Sequence, residues 1–405
     1  MPYLKIRLWI MFFLQFFIWG SWYVTLGTYL LQTLDFNGRE VGLVYGSTAI
    51  AATITPFFLG IIADRFFAAE KLLSLLHLVG GVVLLVASQL TSFAWFYPVL
   101  VLYTLLYMPT FALSTSLSFH HLKNPSRDFP MVRVGGTLAW IVAGIILSYF
   151  QLEAKATPML IAAGGSFVLG LYCLSLPHTP PLGDREKMNI SKLLGGEIFT
   201  IFAGSSFVVL ILCLTLIRIP ASFYYSFVNP FLNEIGLSNT AAKMTLGQTA
   251  EVLIMLVLPW IFVRFRIKWI MALGLFMWGF RYLMFAFGVH PGWSWLFYIG
   301  ILIHGITFNF TTLSAQIYID RHVPPRLKST AQGFVTQVTN GIGALVGTYI
   351  AGEVVSQLTL EDGSHYWTTI WLVPAVMGMS IGLTFLLFFH SQKKEAAEQS
   401  SAAAQ

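Results

Sequence analysis

The chain is organised by apolar runs of the length a helix needs to cross a bilayer, about 20 residues for a hydrocarbon core ~30 Å thick. On that measure twelve spans fall at roughly 8–32, 40–63, 71–90, 94–119, 131–152, 157–177, 201–232, 240–263, 268–289, 292–319, 328–353 and 367–390. With no water in the core to satisfy backbone N–H and C=O groups, runs this long must be helices rather than strands. Composition agrees: 57% hydrophobic and 10% charged residues leave too little polar surface to cover a water-soluble globule of 405 residues. The fold class is therefore all-α and integral to the membrane. Lys5 and Arg7 precede a first run too long for a signal h-region, which reads as a retained helix.

The basic residues sit in short loops, so the net charge of +6 marks topology and not a nucleic-acid surface. With the N-terminus placed in the cytoplasm, 18 of the 23 Lys and Arg fall on the cytoplasmic side and 3 on the other, with Arg218 and Arg281 inside spans. The positive-inside rule then puts both termini in the cytoplasm and favours an even number of spans. Cys173 and Cys213 both lie within apolar runs, where packing is the expected role.

The longest polar connector divides the spans six and six. The expected organisation is an N-terminal bundle over 1–177, a cytoplasmic connector over 178–200, a C-terminal bundle over 201–390 and a disordered cytoplasmic tail over 391–405. Two six-helix repeats around a midplane site are a layout of secondary transporters. After the second span comes GIIADRFFAAEK, where Gly60, Asp64 and Arg65 suit a gating turn that grips neighbouring helix ends; FVRFRIKW follows the eighth span at the equivalent place. An ordinary positive-inside turn is the alternative.

Inside the eighth span, MTLGQTAEVLIMLVLPW carries Gln248 and Glu251 three residues apart and hence on one helix face. A charge at bilayer depth costs roughly 2.5–3.5 kcal/mol on insertion scales, so such residues face a bundle interior or a cavity and suggest function. A buried carboxylate that changes partners between conformations can load and release a proton. A plain helix-locking ion pair, to Arg218 or Arg133, is the competing reading. His304 titrates in the right range to share coupling, or is a core histidine. Arg133 follows Pro130 near a span end, from which it can snorkel. Arg218 precedes Pro220 in a seventh span long enough to be broken, and Arg281 reads as structural support. Trp19 and Tyr225 are the aromatics best placed to stack on a ring, and Gly135, Gly136, Gly341, Gly343 and Gly347 suit close helix approach at moving interfaces. No phosphate loop, zinc motif or nucleophile elbow is present, which removes support for nucleotide-driven pumping or catalysis.

Several segments, in order along nearly the whole chain, resemble the nucleoside:proton symporter family of the major facilitator superfamily. They include FLQFFIWGSWYVTLGTYL, YMPTFALSTSLSF, DFPMVRVGGTLAW, SLPHTP, GQTAE, FRYLMFAFG and STAQGFVTQVTNGIGALVG. The resemblance implies a twelve-helix major facilitator fold. It also implies substrate contacts from Arg133, Thr137 and Trp140 in the fifth span and from the Gln248–Glu251 pair in the eighth. Ser222 and Tyr225 stand where members can show a glutamine and an asparagine. Phe308-Asn309-Phe310 stands where well-known members read Phe-Asp-Phe, so the usual titratable aspartate is here an asparagine that can only hydrogen-bond substrate or a neighbouring helix.

The expectation is thus a monomeric transporter in the bacterial inner membrane, with a nucleoside, protons and the lipid bilayer as partners, no nucleic acid, no cofactor and no enzymatic activity. Proton coupling falls to Glu251, with His304 in reserve. A sugar or oligosaccharide:proton symporter, or a facilitator or exchanger of an anionic metabolite, stands as the alternative on the same scaffold.

Overall fold

The structure is a computed structural model that describes residues 3–65, 67–180, 205–324 and 327–390. Among these residues helices dominate, and the sole β pairing is a bridge between Thr359 and His365. Each span read from the sequence overlaps one helical segment. These are α1 (Leu4–Gln32), α2 (Gly38–Arg65), α3 (Ala69–Ala87), α4 (Phe93–His121), α5 (Pro125–Tyr149) and α6 (Thr157–Cys173). The series continues with α7 (Ser206–Glu234), α8 (Thr240–Arg264), α9 (Ile267–Gly288), α10 (Trp295–His322), α11 (Thr330–Gln357) and α12 (Trp367–Phe388).

The lipid-facing and protein-facing sides follow from helical periodicity. On α3, Leu75, Val79, Val82 and Val86 are exposed at spacings of four and three, while Leu72, Leu73, Gly80, Gly81 and Leu84 are buried. A continuous apolar stripe of that kind would be a liability in water and is the expected outer face in lipid.

Several spans are interrupted, each for a local reason. In α7 the helix breaks at Ile217, three residues before Pro220, whose ring nitrogen has no proton for the carbonyl four residues back. Just past the break, Tyr282 Oη donates to the Pro220 carbonyl and ties α9 to α7. In α10 a turn at Ile303 is followed by a π-helical stretch, Asn309–Leu313. A second π stretch in α11 covers Val338–Gly343. Such π turns are often found at functional sites.

The chain divides into two compact units, one of Met1–Glu186 with Tyr225–Thr245 and one of Lys187–Tyr224 with Leu246–Gln405. Relative to a boundary in the central connector, the turn end of the α7–α8 hairpin groups with the first unit. Four of the glycines expected at moving interfaces, Gly135, Gly136, Gly343 and Gly347, pack helices within units. A Cβ on Gly135 would stand 2.9 Å from the Trp9 carbonyl and one on Gly136 2.7 Å from Phe16, which sets α5 directly on α1. In the second unit a Cβ on Gly343 would meet the Thr215 carbonyl at 2.7 Å, and one on Gly347 would meet Ser222 Oγ at 2.5 Å, which sets α11 on α7. Cys173 and Cys213 are free and buried, as packing residues would be.

Candidate functional site

The second unit holds a polar cluster built on a backbone-to-backbone approach of α8 and α10. A Cβ at Gly305 would lie 2.5 Å from the main chain of Ala250, so only glycine permits this spacing. The same approach leaves 3.1 Å between a Cβ on Gly247 and that of His304. At this distance Asn309 Nδ2 can donate to two main-chain carbonyls, that of Glu251 at 3.0 Å and that of Gly305 at 2.8 Å. Asn309 is buried and its amide clamps the two helices together. A membrane interior has no competing water for those carbonyls, which favours an interhelical asparagine.

One turn before Asn309, His304 Nε2 lies 3.8 Å from Glu251 Oε2. The other ring nitrogen, Nδ1, lies 3.4 Å from Arg281 Nη1. Arg281 is wholly buried; its Nε donates to the Gly300 carbonyl at 3.2 Å and its guanidinium lies over the Tyr224 ring at 3.7 Å. The His304 ring stacks on the same tyrosine at 5.3 Å. A guanidinium donates only, so Nδ1 is an acceptor and the proton of a neutral imidazole sits on Nε2, towards Glu251. The Glu251 side chain is 24% exposed against 4% for that of His304, so the carboxylate is the accessible member of the pair. Gln248 Oε1, one turn earlier on α8, is buried without a hydrogen-bond partner.

Beside this cluster, a cavity of about 40 Å³ is lined by Arg218, Trp278, Thr311, Gln316, Gln332 and Thr336. A water needs roughly 10–15 Å³ measured this way, so the space suits a few waters.

The first unit presents aromatic surface with one cation. Trp19 packs on Phe111 at 4.8 Å and edge-on to Trp140 at 5.7 Å, and Phe16 packs on Phe111 at 5.2 Å. The Arg133 guanidinium lies 4.3 Å over the Phe16 ring. Trp19 Nε1 is buried with no hydrogen-bond partner, which leaves an indole donor unused. Thr137 lies one turn beyond Arg133 on α5 and is half-buried.

Residues 3–394 of the 405 match the family model described as nucleoside H+ symporter. The chain belongs to the nucleoside H+ symporter family. Among curated proteins, the putative nucleoside transporter YegT of Escherichia coli K12 is 37% identical over 95% of this chain and 93% of its own. The xanthosine permease of the same organism is 34% identical over 95% of each. Among solved structures, the nucleoside transporter NupG superposes with a TM-score of 0.88 at 30% identity, covering 97% of this chain and 100% of its own. The fold is that of a major facilitator transporter, and this member of the nucleoside H+ symporter family is a multi-pass membrane transporter and not an enzyme.

Within this family member, the residues singled out from sequence are distributed as follows. Glu251, His304 and Asn309 share one cluster, with Gln248 on the same helix. Arg133, Thr137, Trp140 and Trp19 share α1 and α5 surfaces in the first unit. Ser222 is buried; its hydroxyl donates to the Arg218 carbonyl at 2.9 Å and lies 3.4 Å from the Ala344 carbonyl, so it faces α11. Tyr225 is half-buried on α7. Gly60, Asp64 and Arg65 lie on the α2 backbone, and their side chains are outside the described residues, as are 181–200 of the connector, 201–204 of the C-terminal bundle and the tail from 391.

Two further groupings were not anticipated. Glu70 at the start of α3 accepts from His178 Nδ1 at 2.8 Å and from the Thr179 N–H at 2.9 Å, which joins the segment read as a gating turn, GIIADRFFAAEK, to SLPHTP, one of those that carried the family resemblance. Glu153, in the α5–α6 connection, is buried and fully hydrogen-bonded. Its signal lay in Asn229 and Asn233, an i, i+4 amide pair on one face of α7.

Proposed function

We propose that the protein imports nucleosides by proton symport through alternating access in the bacterial inner membrane, with both termini cytoplasmic and bundles 1–177 and 201–390 as the moving bodies. Family membership and relatives named as nucleoside transporters support the substrate class. The observation that carries proton coupling is the Glu251–His304–Arg281 chain, an accessible carboxylate facing an imidazole whose far nitrogen meets a buried guanidinium. In this reading Glu251 takes the proton, His304 shares it, and Asn309 fixes the α8 backbone beneath them. Arg133, Thr137, Trp140, Trp19 and Tyr225 contact the nucleoside from α1, α5 and α7, with Gln248 offering its unpartnered carbonyl oxygen. The charge asymmetry of the loops supports the orientation.

Proteoliposomes carrying the purified protein test this with a panel of labelled nucleosides and an imposed proton gradient. Accumulation against a concentration gradient, collapsed by a protonophore, is the expected result. Equilibration without accumulation would instead support facilitated diffusion, a reading that the asparagine at 309 favours because it removes one titratable group. Uptake of free sugars or phosphorylated metabolites in place of nucleosides would redirect the substrate class.

A further inference from the structure

Glu153 sits in the short connection between α5 and α6, 6% exposed, with no cation among its hydrogen-bond partners in the described residues. Its carboxylate instead accepts five hydrogen bonds from neutral groups. Oε1 takes Ser148 Oγ at 2.6 Å and the Ala241 N–H at 3.0 Å. Oε2 takes Asn229 Nδ2 at 3.0 Å, Asn233 Nδ2 at 2.9 Å and Thr240 Oγ1. Ser148 Oγ in turn receives the Ala242 N–H at 2.8 Å. The carboxylate thus meets the positive end of the α8 dipole, closes two of its first-turn N–H groups with the help of Ser148, and grips the end of α7 through two amides.

Apart from Ser148, the donors come from 76 to 88 residues further along the chain than the acceptor. They belong to the hairpin that opens the second six-helix half, whereas Glu153 belongs to the first. The same hairpin is seated on glycines of the first half. A Cβ at Gly27 would fall 2.5 Å from the Ser226 carbonyl, and one at Gly144 2.7 Å from Thr245 Cγ2. Thr28 Oγ1 also donates to Asn229 Oδ1 at 2.5 Å. A carboxylate stripped of water needs such replacement donors, and losing them without rehydration is costly. All of the partners are small, neutral and able to return to water, so the contact can be made and broken without leaving a buried charge stranded.

We propose that Glu153 is a gating residue of the transport cycle. It latches the α7–α8 hairpin to the α5–α6 connection and closes the end of the transporter that the loop charges assign to the outside. The latch must release each time that end opens. This rests on the alternating-access reading, and it places a functional carboxylate well away from the Glu251 site.

The test is a Ser148→Cys/Ala242→Cys double variant in proteoliposomes, scored for labelled nucleoside uptake reduced and then oxidised. Uptake by the reduced protein establishes transport itself; its absence there and in the wild type counts against the proposed function and not against the latch. Oxidation is expected to lower uptake at least tenfold, with recovery on adding dithiothreitol. Undiminished uptake by protein shown by mass spectrometry to be cross-linked would overturn the latch. A second arm adds Glu153→Gln to a Ser226→Cys reporter. Labelling by a membrane-impermeant maleimide from outside should speed up several-fold, and an unchanged rate would also overturn it.

Discussion

His304 lies between opposite charges, with Nε2 at 3.8 Å from Glu251 Oε2 and Nδ1 at 3.4 Å from Arg281 Nη1. The first distance is too long for a hydrogen bond and short enough that a small shift of either side chain makes one. With its proton on Nε2, the imidazole is placed to donate to the Glu251 carboxylate when the two side chains approach. The arrangement depends on α8, α9 and α10 meeting at one point.

Replacing His304 with Gln keeps a polar side chain of similar reach and removes titration. The expected outcome is retained nucleoside counterflow, which needs only binding and conformational change, with gradient-driven accumulation reduced tenfold or more. Parallel measurement of the two assays separates coupling from binding. Equal loss in both would mean that His304 serves structure alone.

Asn309→Asp tests the amide clamp. An ionised carboxylate has no donor to offer the Glu251 and Gly305 carbonyls, and it faces two acceptors instead. Loss of the pair should cost about 1–3 kcal/mol at neutral pH. Protonation restores one donor, so the deficit in melting temperature in detergent should narrow from pH 8 to pH 5. A deficit independent of pH would show that the carbonyls are satisfied by another route.

These two residues also mark how far the sequence could be read. The twelve spans were legible because a bilayer imposes helix length and an apolar surface on every crossing. Glu251 was legible because a charge there is expensive. Asn309 was recognised as polar at depth, yet its partners are main-chain atoms brought near by Gly305, and no side-chain pattern announces a backbone approach. Arg281 read as support, since the stacking of Tyr224 and His304 around it depends on three helices meeting. Glu153 escaped notice because an acid in a loop is ordinarily solvated; only its meeting with α7 and α8 buries it.

Gly305→Ala should be disruptive out of proportion to its size. The added methyl would enter the space of the Ala250 main chain, which cannot rotate away as a side chain can. Separation of α8 from α10 would lengthen the Asn309 bonds and draw Glu251 from His304. Overpacking of this kind costs about 1–3 kcal/mol. The expected result is a lower melting temperature together with weakened proton coupling. Gly333→Ala in α11, where a Cβ meets nothing within 4 Å, serves as the tolerated control.

Glu153 carries a pH dependence whose sign is fixed by its surroundings. Burial pushes its carboxyl up, but the hydrogen bonds from Asn233, Ser148, Thr240 and the Ala241 N–H outweigh this and hold it below the usual range. A carboxyl lowered in the folded protein adds stability that is fully present above its unfolded pKa of about 4.3. That stability drains away as pH falls through the lower folded value. The melting temperature of Glu153→Gln should therefore lie below that of the wild type by a constant margin from pH 6 to pH 8. The margin should shrink as both are titrated below about pH 4, because the wild type loses the charge that the variant never had. A margin that held steady into strong acid would mean that the five donors serve the carboxyl equally well when protonated, and that the ionised form is not what holds the hairpin.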